Sequence, residues 1–576
     1  MEYLSKLNFW LDNDYFDQDT KNELLSIKND AKEVEDRFYK SLEFGTGGLR
    51  GIIGAGTNRI NIYTVRVASQ GLANYINHLG SQDKGIVIAY DSRFMSPEFS
   101  LEAAKVFCAN GIKAYLFDEL RPTPQLSFAV RYLKAAAGVV VTASHNPKQY
   151  NGYKVYGEDG GQLSIDGSNA VISEINKIED ITKVNIISKE EAISKGLLQI
   201  IGSEIDDEYI DMLKKLRINK DAAAKVADTF KIVYTPLHGA GNKPVRRILA
   251  ESGFKHVLVV KEQELPDSQF STVKSPNPEE RSAFELAIKL ASDNDVDLII
   301  GTDPDSDRVG VVVRKSDGEY AVLTGNQTGC LLLEYILTAM KEEAKLPANG
   351  FVVKTIVTTE LARVIANYYN IELVEVLTGF KFIGEQIKLR DETGKQKYLF
   401  GFEESYGYLA GTDVRDKDAV VASMLIAEMA AYYKAKGISL YDALINVYEK
   451  YGYYLEGISS FTLEGKDGVT KIKQALSTMR NTRYEEFGDI KVKAVRDYQK
   501  SERYVIESGT TEKILLPESD VLYFEMEDGS WFCVRPSGTE PKIKIYYGVS
   551  EKTLNLSQDK LEKFKAGVID VIKPLL

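Results

Sequence analysis

Short runs of β-branched and other apolar residues recur along the chain, each ending in a polar segment marked by glycine or proline, and amphipathic helical stretches separate them. This alternation predicts α/β units on mixed or parallel sheets. The predicted strands include 85–93 (GIVIAYDSR), 138–147 (GVVVTASHNP), 231–239 (KIVYTPLHG), 296–307 (VDLIIGTDPDSD) and 397–407 (KYLFGFEESYG). In an open α/β sheet the ligand crevice lies beyond the carboxyl ends of the strands, so chemistry is expected in the loops that follow these runs.

The stretch 203–218 sets Ile205, Tyr209, Met212, Leu213 and Leu216 on one helical face behind a start signal at Ser203 and Asp206. It predicts a helix joining two domains. Another helical pattern covers 418–437. Segment 521–534 alternates about an Asp528-Gly529 turn and predicts a hairpin, with a further strand at 542–548 and hence a smaller α+β unit at the end. A chain of 576 residues predicts about four domains. The expected borders are 1–204, 205–321, 322–450 and 451–576.

With 44% apolar and 27% charged residues the composition is that of an ordinary soluble protein. The net charge of −12 argues against a nucleic-acid partner, which demands clustered Lys and Arg. The first residues lack a signal-type apolar core and no run reaches the ~18 apolar residues of a membrane span, so a cytoplasmic location with no membrane partner is expected. Three scattered cysteines and four histidines leave oxygen as the expected metal ligand.

Asp303, Asp305 and Asp307 in GTDPDSDR alternate along the chain, so one backbone turn can bring three carboxylates to one side. Like charges so gathered call for a hard cation, and Mg²⁺ suits oxygen ligands with a phosphate completing its shell. A calcium EF-hand loop is the rival, but its required glycine and glutamate positions hold Arg308 and Arg314. Ser144 in TASHNP follows an apolar strand. By itself it reads as a turn; facing a metal it reads as a phosphoacceptor. His145 beside it makes no hydrolase triad, because neighbours at a strand end are expected to point apart and no G-x-S-x-G elbow is present.

In RPSGTEPKIK, Arg535, Ser537 and Thr539 surround Gly538, offering a donor fork, two hydroxyls and backbone N–H groups to one anion. Glu403 and Ser405 of GFEESYG suit sugar hydroxyls. Lys154 and Lys417 could steady phosphate or move a proton, although either alone reads as a surface lysine. Arg50 in GTGGLRG can approach an anion, while nucleotide-binding loops of the G-x-G-x-x-G or GxxxxGK[ST] type are not matched there.

TASHNP, GTDPDSDR, GFEES and RPSGTEP, in this order, resemble the α-D-phosphohexomutase family. The resemblance implies a heart-shaped, four-domain chain: three related α/β domains with mixed sheets and a smaller C-terminal α+β domain. It implies a phosphoserine at Ser144, Mg²⁺ held by Asp303, Asp305 and Asp307 with that phosphate, and Arg308 beside the transferring group. His145, Lys154 and Lys417 are the candidates for proton transfer. Glu403 and Ser405 match the sugar-binding loop, and Arg535, Ser537, Gly538 and Thr539 the loop for the unreactive phosphate; Arg50 also falls on a matching position. Where many relatives carry a histidine after Thr-Gly, 378–385 reads TGFKFIGE, so Thr378, Gly379 and Lys381 are the candidates there. That loop and GFEESYG look like the branch of phosphoglucomutases, phosphopentomutases and glucose-1,6-bisphosphate synthases. The implied reaction links glucose 1-phosphate and glucose 6-phosphate, primed by glucose 1,6-bisphosphate, with pentose and mannose phosphates as alternatives. Small sugar phosphates are the expected partners, for a monomer or homodimer.

Overall fold

The computed structural model describes residues 2–45, 47–463, 466–537 and 542–576. Gly538 and Thr539 of the expected phosphate clamp lie outside the described residues.

The first sheet contains β1 (Gly48–Ile52), β2 (Ile86–Tyr90), β3 (Ala114–Phe117), β4 (Ala137–Val141), β5 (Tyr150–Gly157) and β6 (Leu198–Ile201), in the order β1-β5-β4-β2-β3-β6. Strands β4, β2, β3 and β6 are parallel, and β5 runs back against both β4 and β1. Every residue of β4 is buried, which is why it reads as an unbroken apolar run rather than an alternation. The second sheet joins β7 (Lys231–Thr235), β8 (His256–Val259), β9 (Leu298–Thr302), β10 (Val309–Arg314) and β11 (Tyr320–Val322) in the order β11-β10-β9-β7-β8. It repeats the design: β9, β7 and β8 are parallel, and β10 turns back on β9.

A third sheet, of β12 (Gly350–Thr355), β13 (Glu372–Val376), β14 (Lys397–Glu403) and β15 (Gly407–Leu409), has the order β13-β12-β14-β15. The eight-stranded fourth sheet closes the chain with β16 (Tyr453–Thr462), β17 (Glu486–Phe487), β18 (Ile490–Asp497), β19 (Glu502–Val505), β20 (Thr510–Lys513), β21 (Leu522–Met526), β22 (Trp531–Pro536) and β23 (Lys542–Glu551). The expected hairpin about Asp528-Gly529 is the β21–β22 pair. The three α/β sheets share a turn. Leaving β4, β9 and β14, the chain passes through a non-glycine residue in the left-handed region, Ser144 (φ 52°), Ser306 (φ 52°) and Tyr406 (φ 64°). Such conformations cost roughly 1–3 kcal/mol and persist only where surrounding contacts hold them.

By compactness the chain divides into two units, one of Met1–Gly325, Ile383–Gly401 and Ser405–Leu440, the other of Asn326–Phe382, Phe402–Glu404 and Tyr441–Leu576. In the first, the helices Glu2–Asp12, Gln18–Ile27 and Ala31–Phe38 build a small core of their own around Trp10, Phe16 and Leu24, closed by Ala55 and Tyr63. The helix Ser203–Lys215 packs on the helices Thr123–Tyr132 and Asn242–Glu251. Its start differs from expectation: Gly202 is the cap, with no side-chain cap bond, and the Asp206 carboxylate accepts from Arg121 at 2.7 Å. A long-range ion pair has taken the side chain that the local pattern assigned to capping. The helix Ala419–Ala435 is capped by Asp418 and buried throughout Ala419–Tyr432. No described helix is long and apolar enough to cross a membrane.

Candidate active site

Three residues beyond β4, the Ser144 hydroxyl donates to Oδ2 of Asp303 at 2.6 Å and lies 3.2 Å from Nδ1 of His145. The expectation that Ser144 and His145 point apart is therefore corrected. It assumed strand alternation, and the left-handed backbone at Ser144 ends that alternation before His145.

The metal-loop candidates are fully withdrawn from solvent: Asp303 and Asp305 are 0% exposed and Asp307 is 2% exposed. One oxygen from each lies within 4.8 Å of the others. The turn is closed by the Ser306 amide donating to the Asp303 carbonyl at 2.9 Å. Three further carbonyls are held from outside: Ala240 donates to Pro304 at 2.8 Å, Thr123 to Asp305 at 2.8 Å and Ala419 to Ser306 at 3.2 Å. Two of those donors open helices and the third sits just before one. Residue 239 must be glycine for this approach, since a Cβ there would lie 2.5 Å from the Pro304 Cα. With its carbonyls engaged outward, the loop is free to gather its carboxylates inward.

That gathering is paid for by cations. Asp305 Oδ2 accepts from Lys154 Nζ at 2.7 Å and from the Thr123 hydroxyl at 2.8 Å. Asp307 Oδ2 has Lys154 and Lys417 each at 3.3 Å, and Lys417 also pairs with Asp416 at 3.1 Å. Lys417 is buried and the Lys154 side chain is only 13% exposed, so the surface-lysine reading fails for each. Burial, then the neighbouring Asp305 and Asp307, pushes the Asp303 carboxyl well above the carboxylate range. Burial also acts to raise Asp305, but the Lys154 ammonium together with hydrogen bonds with Asp303 and Thr123 outweighs it, and the net shift is downward. Lys417 and Lys154 likewise hold Asp307 below its ordinary value against burial and Asp305. Asp305 Oδ1 and Asp307 Oδ1 remain buried with no hydrogen-bond partner. Orphaned buried carboxylate oxygens are costly, and an oxygen-seeking divalent cation is the partner that fits this all-oxygen set.

Other candidates cluster in the same unit. Arg308 donates to Glu279 at 2.6 Å and to the Ser405 carbonyl at 3.1 Å. Arg50 on β1 reaches Asn146 at 3.4 Å, and its strand neighbour is Gly152 on β5, two residues before Lys154. Burial, then Arg308 and Arg50, holds the His145 imidazole well below its ordinary value, which keeps it neutral. Lys154 goes the other way: burial opposes its charge, yet Asp305 and Asp307 raise it.

Glu403, in the second unit, ends β14 with 6% exposure, while Ser405 belongs to the first unit. Thr378 and Gly379 (φ 116°) lie between β13 and the helix Phe380–Thr393, and the Lys381 ammonium sits 5.1 Å from the Phe382 ring. Arg535 on β22 pairs with Lys544 on β23, and the Ser537 amide donates to the Lys542 carbonyl at 2.7 Å. Residues that motif reading passed over include Thr123, Asp91 and Arg93. Asp91 and Arg93 stood at the end of the 85–93 run, where a charged pair beyond an apolar strand is itself a signal.

Four family models match in succession: Phosphoglucomutase/phosphomannomutase alpha/beta/alpha domains I, II and III over residues 41–182, 207–318 and 324–451, and the C-terminal domain over 480–563. A phosphoglucomutase of Staphylococcus haemolyticus is 39% identical over 538 residues, 93% of this chain and 94% of the relative. One from Staphylococcus saprophyticus is 36% identical over 570 residues, 99% of each chain. Among solved structures, a putative phosphomannomutase of Thermus thermophilus matches with a TM-score of 0.68 at 20% identity, covering 93% of this chain and 99% of that one. The open form of parafusin, a phosphoglucomutase of Paramecium, gives a TM-score of 0.68 at 17% identity over 93% of this chain and 96% of that one. Family models spanning most of the chain, together with relatives of this identity along nearly its whole length, establish that the chain belongs to the phosphoglucomutase/phosphomannomutase family.

Proposed function

We propose that this chain is a phosphoglucomutase, interconverting glucose 1-phosphate and glucose 6-phosphate through a phosphoserine at Ser144 and a glucose 1,6-bisphosphate intermediate. The observation that carries this reading is the 2.6 Å contact between the Ser144 hydroxyl and Asp303, within a buried three-aspartate cluster flanked by two lysines. It agrees with the printed names of the Staphylococcus relatives.

In this reading phospho-Ser144 gives its phosphoryl group to the free hydroxyl of the sugar phosphate, the bisphosphate reorients, and its other phosphate returns to the Ser144 oxygen. Asp303, Asp305 and Asp307, with the Ser144 phosphate, would hold Mg²⁺, whose chemistry there is neutralisation of phosphoryl charge. Arg308 and Lys417 lie close enough to the cluster to steady the transferring group electrostatically. His145, 3.2 Å from the Ser144 hydroxyl, is the candidate by position for the proton taken from or returned to the reacting hydroxyl, whereas Lys154, held charged, suits phosphate. Arg50, Thr378, Gly379, Lys381, Glu403, Ser405, Arg535, Ser537, Gly538 and Thr539 are the proposed sugar-phosphate contacts. The four domains at 1–204, 205–321, 322–450 and 451–576 and a cytoplasmic location belong to the same proposal.

The deciding experiment is turnover on glucose, mannose and ribose 1-phosphates with Mg²⁺ and a trace of glucose 1,6-bisphosphate. The reading expects the highest kcat/KM on glucose 1-phosphate with no net release of inorganic phosphate. Preference for ribose or mannose 1-phosphate would reassign the substrate, and stoichiometric phosphate release would make the protein a phosphatase.

A further inference from the structure

Ser144 keeps a strained backbone (φ 52°) at the point where its hydroxyl must meet Asp303. What holds it there comes from the neighbouring strand. The Thr142 hydroxyl donates to Asp91 Oδ2 at 2.6 Å and accepts from the Ser144 amide at 2.8 Å. The other Asp91 oxygen accepts from the Arg93 amide and the Ser96 hydroxyl, each at 2.9 Å. On the far side of Ser144, the Arg93 guanidinium donates to the Ser144 and Asn146 carbonyls and, at 3.0 Å each, to those of Pro147 and Tyr150. Its Nε lies 3.3 Å from Asp91, and its carbon lies 5.1 Å from the Phe270 ring. Both side chains are 0% exposed.

We propose that Asp91 and Arg93 act, with Thr142, as positioning residues that lock the phosphoserine loop: Asp91 fixes the Ser144 amide through the Thr142 hydroxyl, and Arg93 fixes its carbonyl and those beyond it. The Ser144 amide and carbonyl are thus both engaged by one buried ion pair, so the peptide planes on either side of the serine cannot rotate independently. That constraint selects the left-handed conformation and, with it, the direction of the hydroxyl. A buried ion pair adds little net stability and is costly to break, but a fixed geometry is what it can supply. The guanidinium suits the task because its planar fork presents several donors in fixed directions, which a lysine ammonium cannot reproduce. Nothing in this assembly touches the reacting atoms. Its effect is confined to where the Ser144 oxygen stands, and misplacement of a reacting atom by about 1 Å costs roughly 100-fold in rate.

The inference rests on the proposed role of Ser144, and its test separates the two. Thr142→Val, nearly isosteric, removes the relay while leaving the Asp91–Arg93 pair intact; Thr142→Ser restores the hydroxyl. Hydrogen exchange of the amides in 142–151 reads the loop directly, and steady-state kinetics with bisphosphate priming reads its consequence. Expected for Thr142→Val are faster exchange in 142–151 and a kcat lowered by roughly 100-fold at unchanged KM, both recovered in Thr142→Ser, with the thermal midpoint close to that of the wild type. Wild-type exchange and wild-type kcat in Thr142→Val would overturn the proposal, as would a valine variant whose only change is in KM. If Thr142→Val fails to fold, Thr142→Ser alone decides, because wild-type exchange and kcat are required of it. A wild-type protein without mutase activity would sink the reading of Ser144 as phosphocarrier, and the exchange comparison would still decide whether the relay holds the loop.

Discussion

Lys154 places its ammonium 2.7 Å from Asp305 and 3.3 Å from Asp307, so a side chain of the first sheet occupies the charge-balancing position for a loop of the second. It thereby competes electrostatically with any cation for the same two carboxylates, whose Oδ1 atoms it leaves without a hydrogen bond. Lys154→Met should tighten Mg²⁺ binding by about tenfold or more, the size expected for removing one nearby positive charge at an effective dielectric of ~20. Isothermal titration with MgCl₂ measures this, with Asp305→Asn as the variant expected to lose binding. Weaker binding in Lys154→Met would show that the lysine orients the carboxylates rather than competing for them.

Ser144→Ala should abolish mutase activity while leaving the fold intact, since only one hydroxyl is lost from a site braced by backbone contacts. Intact-protein mass spectrometry after incubation with glucose 1,6-bisphosphate should find a phosphate on the wild type, removable by glucose 1-phosphate, and none on the variant. Full activity in Ser144→Ala would end the phosphoserine mechanism.

Burial pushes the Asp418 carboxyl from 3.8 up to about 6, against hydrogen bonds from the Val421 amide, the Tyr209 hydroxyl and the Val420 amide. Between these values the folded protein binds a proton that the unfolded chain has released, so this group's contribution to stability falls as pH rises from about 4 to about 6 and is level above. The fall is ~3 kcal/mol at 1.36 kcal/mol per unit. Asp418→Asn should remove it, so that the variant gains on the wild type across that window in urea unfolding. A pH-independent difference between the two would contradict this.

Trp10 is 1% exposed and stacks on Phe16 with ring centroids 4.3 Å apart. Trp10→Ala should cost about 3–5 kcal/mol, the usual range for a large aromatic in a core. Calorimetry checks whether the loss appears in the main transition. An unchanged main transition would mean that the N-terminal helices melt as an independent unit.

The strands beneath the site were readable because buried parallel strands are written as continuous apolar runs, as Val139 to Val141 are in β4. The three aspartates were readable because the spacing that gathers their charge lies within one short loop. What could not be read depends on partners far along the chain. Nothing local marks Lys154 as drawn inward, since Asp305 and Asp307 lie more than 150 residues away. The Ser144–His145 contact depends on a left-handed backbone held by Arg93, 51 residues earlier. Asp206 carried a capping signal that a tertiary partner, Arg121, overrode. The N-terminal helices face the opposite difficulty: their pattern is ordinary, and only their packing around Trp10 shows that they form a core.

The carbonyls of the aspartate loop are held by amides of Thr123, Ala240 and Ala419, which lie on both sides of the loop in the sequence. During synthesis a chain that has passed Arg308 but not yet reached Ala419 already possesses all three carboxylates and lacks one of the amides that shape their loop. The complete backbone bracing of this loop is therefore deferred until the polypeptide has emerged beyond Ala419, so the three carboxylates reach their final arrangement only after the third domain has begun to fold.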